Sequence, residues 1–299
     1  MCLVSVIITS FNQVQFLNER VKSVINQTFK DFEVIIIDDS STDGSQEFLK
    51  SLKIKYPETK IILKNQNSKS PFGRWEEAFG LAQGELIWIA EGDDLVDKRF
   101  LSRLVSSFEN KSIVVAHSRS FEFRDSLDSK KLNDWWLSFD PFIWSKDFVM
   151  NGRELLINYG RFKCPIINVS SAVFRKSILS GIIIPKSYRY TGDWFFWGQI
   201  LLKGKVAFVS EPLNYIRLHN NSATNSIQVN KWIKLIENTQ VARKLHQFLG
   251  IDFKYNYNFK WLLLMWKKQT RKELFRGIYY SLKYLPFSFL VKYFSKQPK

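Results

Sequence analysis

"VSVIITSFNQVQFLNERVKSVINQTFKDFEVIIIDDSSTDGS", residues 4–45, decides the fold. Two β-branched runs, "LVSVIIT" (3–9) and "EVIIID" (33–38), flank a segment with helical spacing. Residues 14–27 place Phe16, Val21, Val24 and Ile25 on one helical face. The two runs are apolar almost throughout, as in strands covered on both faces. Strand, helix and strand in this order make a βαβ unit, whose strands lie parallel. Each run ends in polar residues, "TSFN" (9–12) and "DDSSTDG" (38–44), and Asp43 is placed to cap a helix starting near Gly44.

The pattern continues outward. "KIIL" (60–63), "ELIWIA" (85–90) and "SIVVAH" (112–117) recur at intervals of about 25–30 residues, with helix-like segments between most of them. The expected fold class is α/β, a mostly parallel sheet flanked by helices. Ligands of such sheets bind beyond the carboxyl ends of the strands, and here a third strand end reads "EGDD" (91–94). Residues 119–165 are less regular and carry "NDWWLSFDPFIW", either the wall of a substrate site or plain packing. A strand "NVSSAVF" (168–174), a helix opening at "TGDWFFWGQILLKG" (191–204), and strands "KVAFV" (205–209) and "NYIRLHNNSATN" (214–225) follow. From about residue 227 the pattern is helical.

Composition bounds the function. The chain has 299 residues, 45% of them hydrophobic and 16% aromatic, enough for one large domain with an appendage and far from a disordered class. The two cysteines, Cys2 and Cys164, are too few for a disulfide framework and suggest a reducing compartment. No signal peptide is visible, and no apolar run approaches the ~20 residues that span a bilayer. The expected location is therefore cytoplasmic. A net charge of +16 implies an anionic partner.

Asp93 and Asp94 stand side by side at the third strand end. Asp94 or Asp97 is placed to cap a helix beginning near Lys98. Capping needs one carboxylate and not two, with Glu91 close by. Hard oxygen donors at such a place also suit Mg²⁺ or Mn²⁺. Asp38-Asp39 is a second acidic pair, suited to hydrogen bonds from a ribose or base, or to a plain turn. Thr9, Ser10 and Asn12 on the neighbouring strand end favour the ligand reading.

Together these stretches resemble the inverting glycosyltransferases of family 2, which have the GT-A fold. The resemblance covers roughly residues 3–220 and is carried by residues 4–45 and by "LAQGELIWIAEGDD" (81–94). It implies a donor of nucleotide-diphosphate sugar, with UDP the expected nucleotide, held by Thr9, Phe11, Asn12, Asp38, Asp39 and Arg74. It implies that Asp93 faces the donor and that Asp94 ligates Mn²⁺ or Mg²⁺. "YTGDWFFW" (190–197) supplies Asp193 as catalytic base, with Gly192 where many members have an acid. "RLHNNSATN" (217–225) supplies Arg217 and His219 near the diphosphate, His219 as a second metal ligand. The implied acceptor is a glycan or lipid-linked hydroxyl in bacterial polysaccharide assembly, lipopolysaccharide or capsule. A non-catalytic nucleotide- or glycan-binding protein on the same fold is the alternative, and nucleotidyl transfer a third reading.

The implied division is a catalytic domain over 1–225, with a nucleotide-sugar half (1–118) and an acceptor half (119–225), then a basic helical region over 226–299. From residue 251 onward eleven Lys/Arg stand against Asp252 and Glu273, interleaved with Trp and Tyr. That suits the surface of an anionic membrane, which would place the protein peripherally on the inner face of the cell membrane. A helical appendage with a solvated basic face has the same composition. No nucleic-acid module accompanies the charge, so no nucleic-acid partner is expected.

Overall fold

A computed structural model describes residues 2–161, 163–220 and 231–252, together with Trp266, Phe275, Tyr279, Tyr280, Leu282 and Lys283. The first apolar runs become β1 (Val4–Ser10), β2 (Phe32–Asp38), β3 (Lys60–Leu63) and β4 (Leu86–Ile89), linked by α1 (Val14–Ile25), α2 (Ser45–Lys55) and α3 (Trp75–Leu81). Next come β5 (Leu95–Val96), α4 (Phe100–Val105), β6 (Ile113–Phe123) and β7 (Lys131–Leu132). A small-helix excursion, α5 (Trp135–Phe139) and α6 (Pro141–Trp144), leads to β8 (Phe148–Asn151) and α7 (Gly152–Leu155). β9 (Ala172–Arg175), α8 (Gly192–Leu201), β10 (Lys205–Arg217) and α9 (Lys231–Leu249) complete the described elements.

One sheet runs in the order β3-β2-β1-β4-β9-β6-β10-β5, with β7 on β6 and β8 on β10. The first four strands are parallel, as the βαβ spacing predicts. β9 then enters antiparallel to both β4 and β6, so the sheet is mixed. Alternation within the apolar runs divides two cores. Ile7, Ile35, Ile37, Ile87 and Ile89 face the side covered by α3 and α8. Val6, Ile8, Ile36 and Trp88 face the side covered by α1, α2 and α4. Each such side chain, once fully buried, contributes roughly 1.5–3 kcal/mol.

Several local expectations shift. On α1 the buried face is Leu17, Arg20, Val21 and Val24. Phe16 turns instead toward the end of β10, where Arg217 and His219 meet it. Asp43 serves two helices: one oxygen accepts from Ser45 N–H (3.0 Å), the other from Val14 N–H (2.9 Å) at the start of α1. Asp97, not Asp94, shapes the turn before α4, accepting from Arg99 N–H at 2.9 Å. The runs at 205–209 and 214–217 are one strand, because β10 absorbs Pro212 in register shifts against β6. Residues 221–225 of the expected last strand lie outside the described residues.

α9 is built into the core on the α8 side through Trp232, Leu235, Val241, Ala242, Leu245 and Leu249. Gly198 of α8 permits this approach: a Cβ there would stand 2.3 Å from Leu245 Cδ2. Trp232 in turn packs on Trp266 and Tyr280. The rest of the basic, aromatic tail lies outside the described residues. No helix among the described residues is long and apolar enough to cross a membrane. Gly198→Ala should cost about 1–3 kcal/mol in denaturant unfolding through overpacking, and the double variant with Leu245→Ala should cost less than the sum of the two single costs. Strictly additive costs in the double variant would show that the two helices are not in this contact.

Candidate active site

The strand ends build the site. β4 delivers Glu91, Gly92, Asp93 and Asp94 in one turn. Gly92 is required there, since a Cβ would lie 2.4 Å from Gln13 Oε1 and 3.2 Å from the Thr9 carbonyl oxygen. The two aspartates have different surroundings. Asp94 is 3% exposed, and both its oxygens are occupied. Oδ1 accepts from Arg217 N–H (3.0 Å), and Oδ2 from Asn168 Nδ2 (2.9 Å) and Ser170 Oγ (2.8 Å). Asp93 is open on one side, and its Oδ2 lies 2.9 Å from His219 Nε2. Arg217 is spent on this turn: Nε donates to the Asp93 carbonyl (2.9 Å), Nη2 pairs with Glu19, and the guanidinium lies between Phe16 and Phe123.

Electrostatics make the cluster tense. Burial, then the neighbouring Asp93, raises Asp94 to about 6. Burial, then Asp94, Asp93 and Asp193, pushes Glu91 well above the carboxylate range. Asp193 opens α8 and is raised to about 6 by burial, against the main-chain N–H groups of the helix start and the charge of Lys234. The charge of Asp193 thus acts on Glu91 alongside those of Asp94 and Asp93. Below the cluster, Arg20 of α1 is fully buried with its guanidinium 5.1 Å over the Trp88 ring. None of its three nitrogens has a hydrogen-bond partner among the described residues. Burial lowers it to about 10, so it stays charged at neutral pH, and its charge acts on Asp94, Asp93 and Glu91.

The other expected residues form a second group at the ends of β1 and β2. Thr9 is the last residue but one of β1, and Phe11 lies just beyond it, 48% exposed. Asn12 instead latches loops: its N–H donates to Ser41 Oγ (2.8 Å) and its Oδ1 accepts from Thr42 N–H (2.8 Å). Asp38 is likewise turned into its own loop, accepting from Ser41 N–H (2.9 Å), Ser41 Oγ (2.5 Å) and Gln46 Nε2 (3.0 Å). Asp39 accepts from Arg74 Nε (2.6 Å) and from Ser68 N–H and Oγ. That pair ties the 64–74 loop to the end of β2.

The donor chemistry of the acidic turn fits a hard divalent cation. Asp93 and His219 offer an oxygen and a nitrogen at one place, while the lone pairs of Asp94 are committed inward. Among the described residues no group of three or more His, Cys, Asp or Glu forms a closed metal cage. Two protein donors suit an ion that keeps waters and takes substrate phosphate as further ligands.

A family model described as glycosyl transferase family 2 matches residues 5–183. The chain belongs to this family. A GalNAc(5)-diNAcBac-PP-undecaprenol beta-1,3-glucosyltransferase of Campylobacter jejuni is 30% identical over 249 residues, 83% of this chain and 75% of that protein. The S. aureus TarS 1-349 structure with UDP-GlcNAc superposes with a TM-score of 0.64 at 17% identity, over 98% of this chain and 79% of that one. A mannosyltransferase from Pyrobaculum calidifontis, solved with GDP-Man and Mn²⁺, superposes with a TM-score of 0.54 at 14% identity, over 98% and 84%. These likenesses bear out the GT-A fold and a glycosyltransferase of the bacterial polysaccharide type.

In this glycosyltransferase, sequence reasoning missed four side chains that support the site. Asn168 precedes and Ser170 sits in a 3₁₀ turn (Val169–Ser171) before β9, within a stretch that reads as strand. The signal was two polar residues at the head of an apolar run. Arg20 reads as a solvent-side residue of α1. Glu237 of α9 reads as part of an appendage, yet its buried carboxylate accepts from the N–H groups of Arg189, Tyr190 and Thr191 (2.8–3.1 Å) just before α8. It thereby fixes the approach to Asp193.

Carboxyls raised on folding lend stability that is fully present below their unfolded pKa. It is lost as pH rises through about 6 for Asp94 and Asp193. Arg20 opposes that loss. Arg20→Met should therefore cost about 3 kcal/mol near pH 8, where the acids are ionised, and clearly less near pH 5. Urea unfolding at both pH values checks this, and a cost independent of pH would remove Arg20 as their counter-charge.

Proposed function

We propose that the chain transfers a sugar from a UDP-linked donor, with inversion, to a hydroxyl of a lipid-diphosphate-linked bacterial glycan. The observation that carries this is the Glu91-Asp93-Asp94 turn at the carboxyl ends of the parallel strands, in a chain that belongs to glycosyl transferase family 2, with Asp193 at the start of α8 near enough for its charge to act on Glu91. The C. jejuni relative supports the acceptor class, and the UDP-GlcNAc complex of TarS supports the nucleotide.

Thr9 and Phe11 would line the base, with the Asp39–Arg74 pair holding the loop that closes over it. Asn12 and Asp38 would act through the loops they latch. Asp93 and His219 would hold Mn²⁺ or Mg²⁺, a use of metal supported by the Mn²⁺ complex of the mannosyltransferase. This assigns the ion to Asp93 rather than Asp94, because the Asp94 oxygens are already hydrogen-bonded. When bound, the cation supplies positive charge for the diphosphate. Arg217 and Asp94 would set the position of the turn. Asp193 would take the proton of the acceptor hydroxyl as that oxygen attacks C1 from the face opposite the diphosphate. One displacement inverts the anomeric centre.

Residues 1–225 would form the catalytic unit. The region from 226 would brace α8 through α9 and present the cations beyond residue 251 to the anionic inner face of the cell membrane, where such an acceptor resides. Co-sedimentation with anionic and neutral vesicles tests this: equal binding to both, or none, ends the membrane assignment.

Asp193→Asn should lower kcat by about 10²–10⁴-fold while leaving UDP affinity intact. In the unaltered enzyme kcat should rise with pH with a midpoint near 6, because the base must be ionised. Asp93→Asn should weaken Mn²⁺-dependent UDP binding in a thermal-shift assay. Donor binding with no turnover on any glycan acceptor, and indifference to Asp193→Asn, would return the protein to the non-catalytic binding class.

A further inference from the structure

The α5–α6 excursion divides its aromatic residues between two faces. Trp136 and Trp144 are turned inward and buried. Trp135, Phe139 and Phe142 are turned outward, 50%, 62% and 76% exposed. Trp135 and Phe139 stand one helical turn apart on α5 and so share a face. Phe142 follows on α6. Outward positions of a surface helix are ordinarily polar. Three large rings left in water over residues 135–142 mark a surface that is covered when the protein works.

The rings come with cations. Lys163 Nζ lies 3.4 Å from the centre of the Trp135 ring, and Lys146 Nζ 4.8 Å from that of Phe142. Burial lowers Lys163 to about 8, so it is mostly charged at neutral pH. Lys130 and Lys131, both exposed, lead into α5. Two of the acids in this segment are turned to other partners. Asp140 accepts from Tyr159 Oη (2.5 Å) and Ile143 N–H (3.3 Å), and Asp147 from Ser210 N–H (2.7 Å) and Oγ (2.6 Å). Asp134 stays exposed. Lysine is depleted where two proteins bury their apolar centres, which argues against a second copy of the chain. Aromatic rings at headgroup depth, with lysines beside them reaching lipid phosphates, are instead the chemistry of an anionic bilayer surface.

The ridge is braced to the start of α8. Tyr159 meets Trp136 edge-on at 5.5 Å, and its hydroxyl reaches Asp140 between the two short helices. The next residue, Gly160, accepts from Trp194 Nε1 at 2.6 Å, and Trp194 follows Asp193. We propose that the α5–α6 ridge inserts Trp135, Phe139 and Phe142 into the headgroup region of an anionic bilayer, as a membrane contact separate from the basic tail. Docked this way, the ridge holds the Asp193 end of α8 near the lipid surface to which a lipid-linked acceptor is anchored. That purpose rests on the glycosyl-transfer reading; the lipid contact itself does not.

The test uses the full chain with vesicles containing phosphatidylglycerol, and with phosphatidylcholine vesicles as the neutral comparison. Hydrogen exchange over residues 135–144 is followed with and without vesicles, and affinity is read by co-sedimentation. The anionic vesicles should slow exchange across 135–144. They should do so too in a tail variant carrying Lys267→Gln, Lys268→Gln, Arg271→Gln and Lys272→Gln. Phe139→Ser with Phe142→Ser should weaken binding to the anionic vesicles about tenfold or more, since two rings are withheld from the lipid. Binding of UDP with Mn²⁺, read by thermal shift, should be unchanged in that variant. Exchange over 135–144 that ignores the vesicles, or an unaltered affinity in the double variant, would overturn the ridge as a lipid contact. A dimer in sedimentation velocity that the double variant dissociates would overturn it too, giving the surface to a second copy of the chain. Failure of the unaltered chain to bind UDP would instead strike at the donor reading, and vesicle protection of 135–144 in that case would still uphold the ridge.

Discussion

Three carboxylates compressed into four residues constrain everything around them. Glu91, Asp93 and Asp94 repel one another at the end of a buried strand, where water screens little. The protein answers with fixed partners. Asp94 receives a main-chain N–H, an amide and a hydroxyl. Arg217 grips the Asp93 carbonyl from above, and Arg20 places an unsatisfied positive charge beneath. Among the described residues neither guanidinium hydrogen-bonds a carboxylate of the turn, so the aspartates are restrained without being neutralised by a direct ion pair.

The sheet exists in its mixed form because this turn needs neighbours from far along the chain. β9 inserts antiparallel beside β4, and the 3₁₀ turn that precedes it carries Asn168 and Ser170 to Asp94. β10 is long enough to run from the far core to the acidic edge, where Arg217 ends it and His219 follows. α9 reaches back so that Glu237 fixes the residues before α8 and hence Asp193. The parallel half makes the ledge, and the later elements furnish it.

The sequence made the ledge legible and the furnishing only partly so. β-branched runs with polar ends give β1 to β4 and their carboxyl edge, because period and length alone set those elements. Asp193 could be placed only through family resemblance, since an acid at a helix start is also an ordinary dipole partner. The roles of Asn12 and Asp38 were not legible. Whether a polar side chain faces a ligand or its own loop depends on a few ångströms of loop path that no local pattern encodes. Arg20 was hidden for a related reason: a charge on an amphipathic helix reads as solvent-facing unless the acids it must oppose are known to lie behind it. The strand 205–217 was split at Pro212, a residue that breaks a strand unless its partner supplies a bulge.

Asp94 and Asp193 show how geometry separates two acids that burial shifts in the same direction. Both are raised to about 6, chiefly by burial. Asp94 has each oxygen tied to donors on other elements, so a ligand would have to displace those hydrogen bonds. Asp193 is held by main-chain N–H groups at the start of its own helix, which steady the carboxylate from one end. A carboxylate with its lone pairs committed supports structure. One with a free face exchanges protons with whatever is placed before it. Similar shifts therefore do not imply equal roles: the hydrogen-bond partners commit Asp94 to the fold, and Asp193 is left as the acid that the proposed transfer would use.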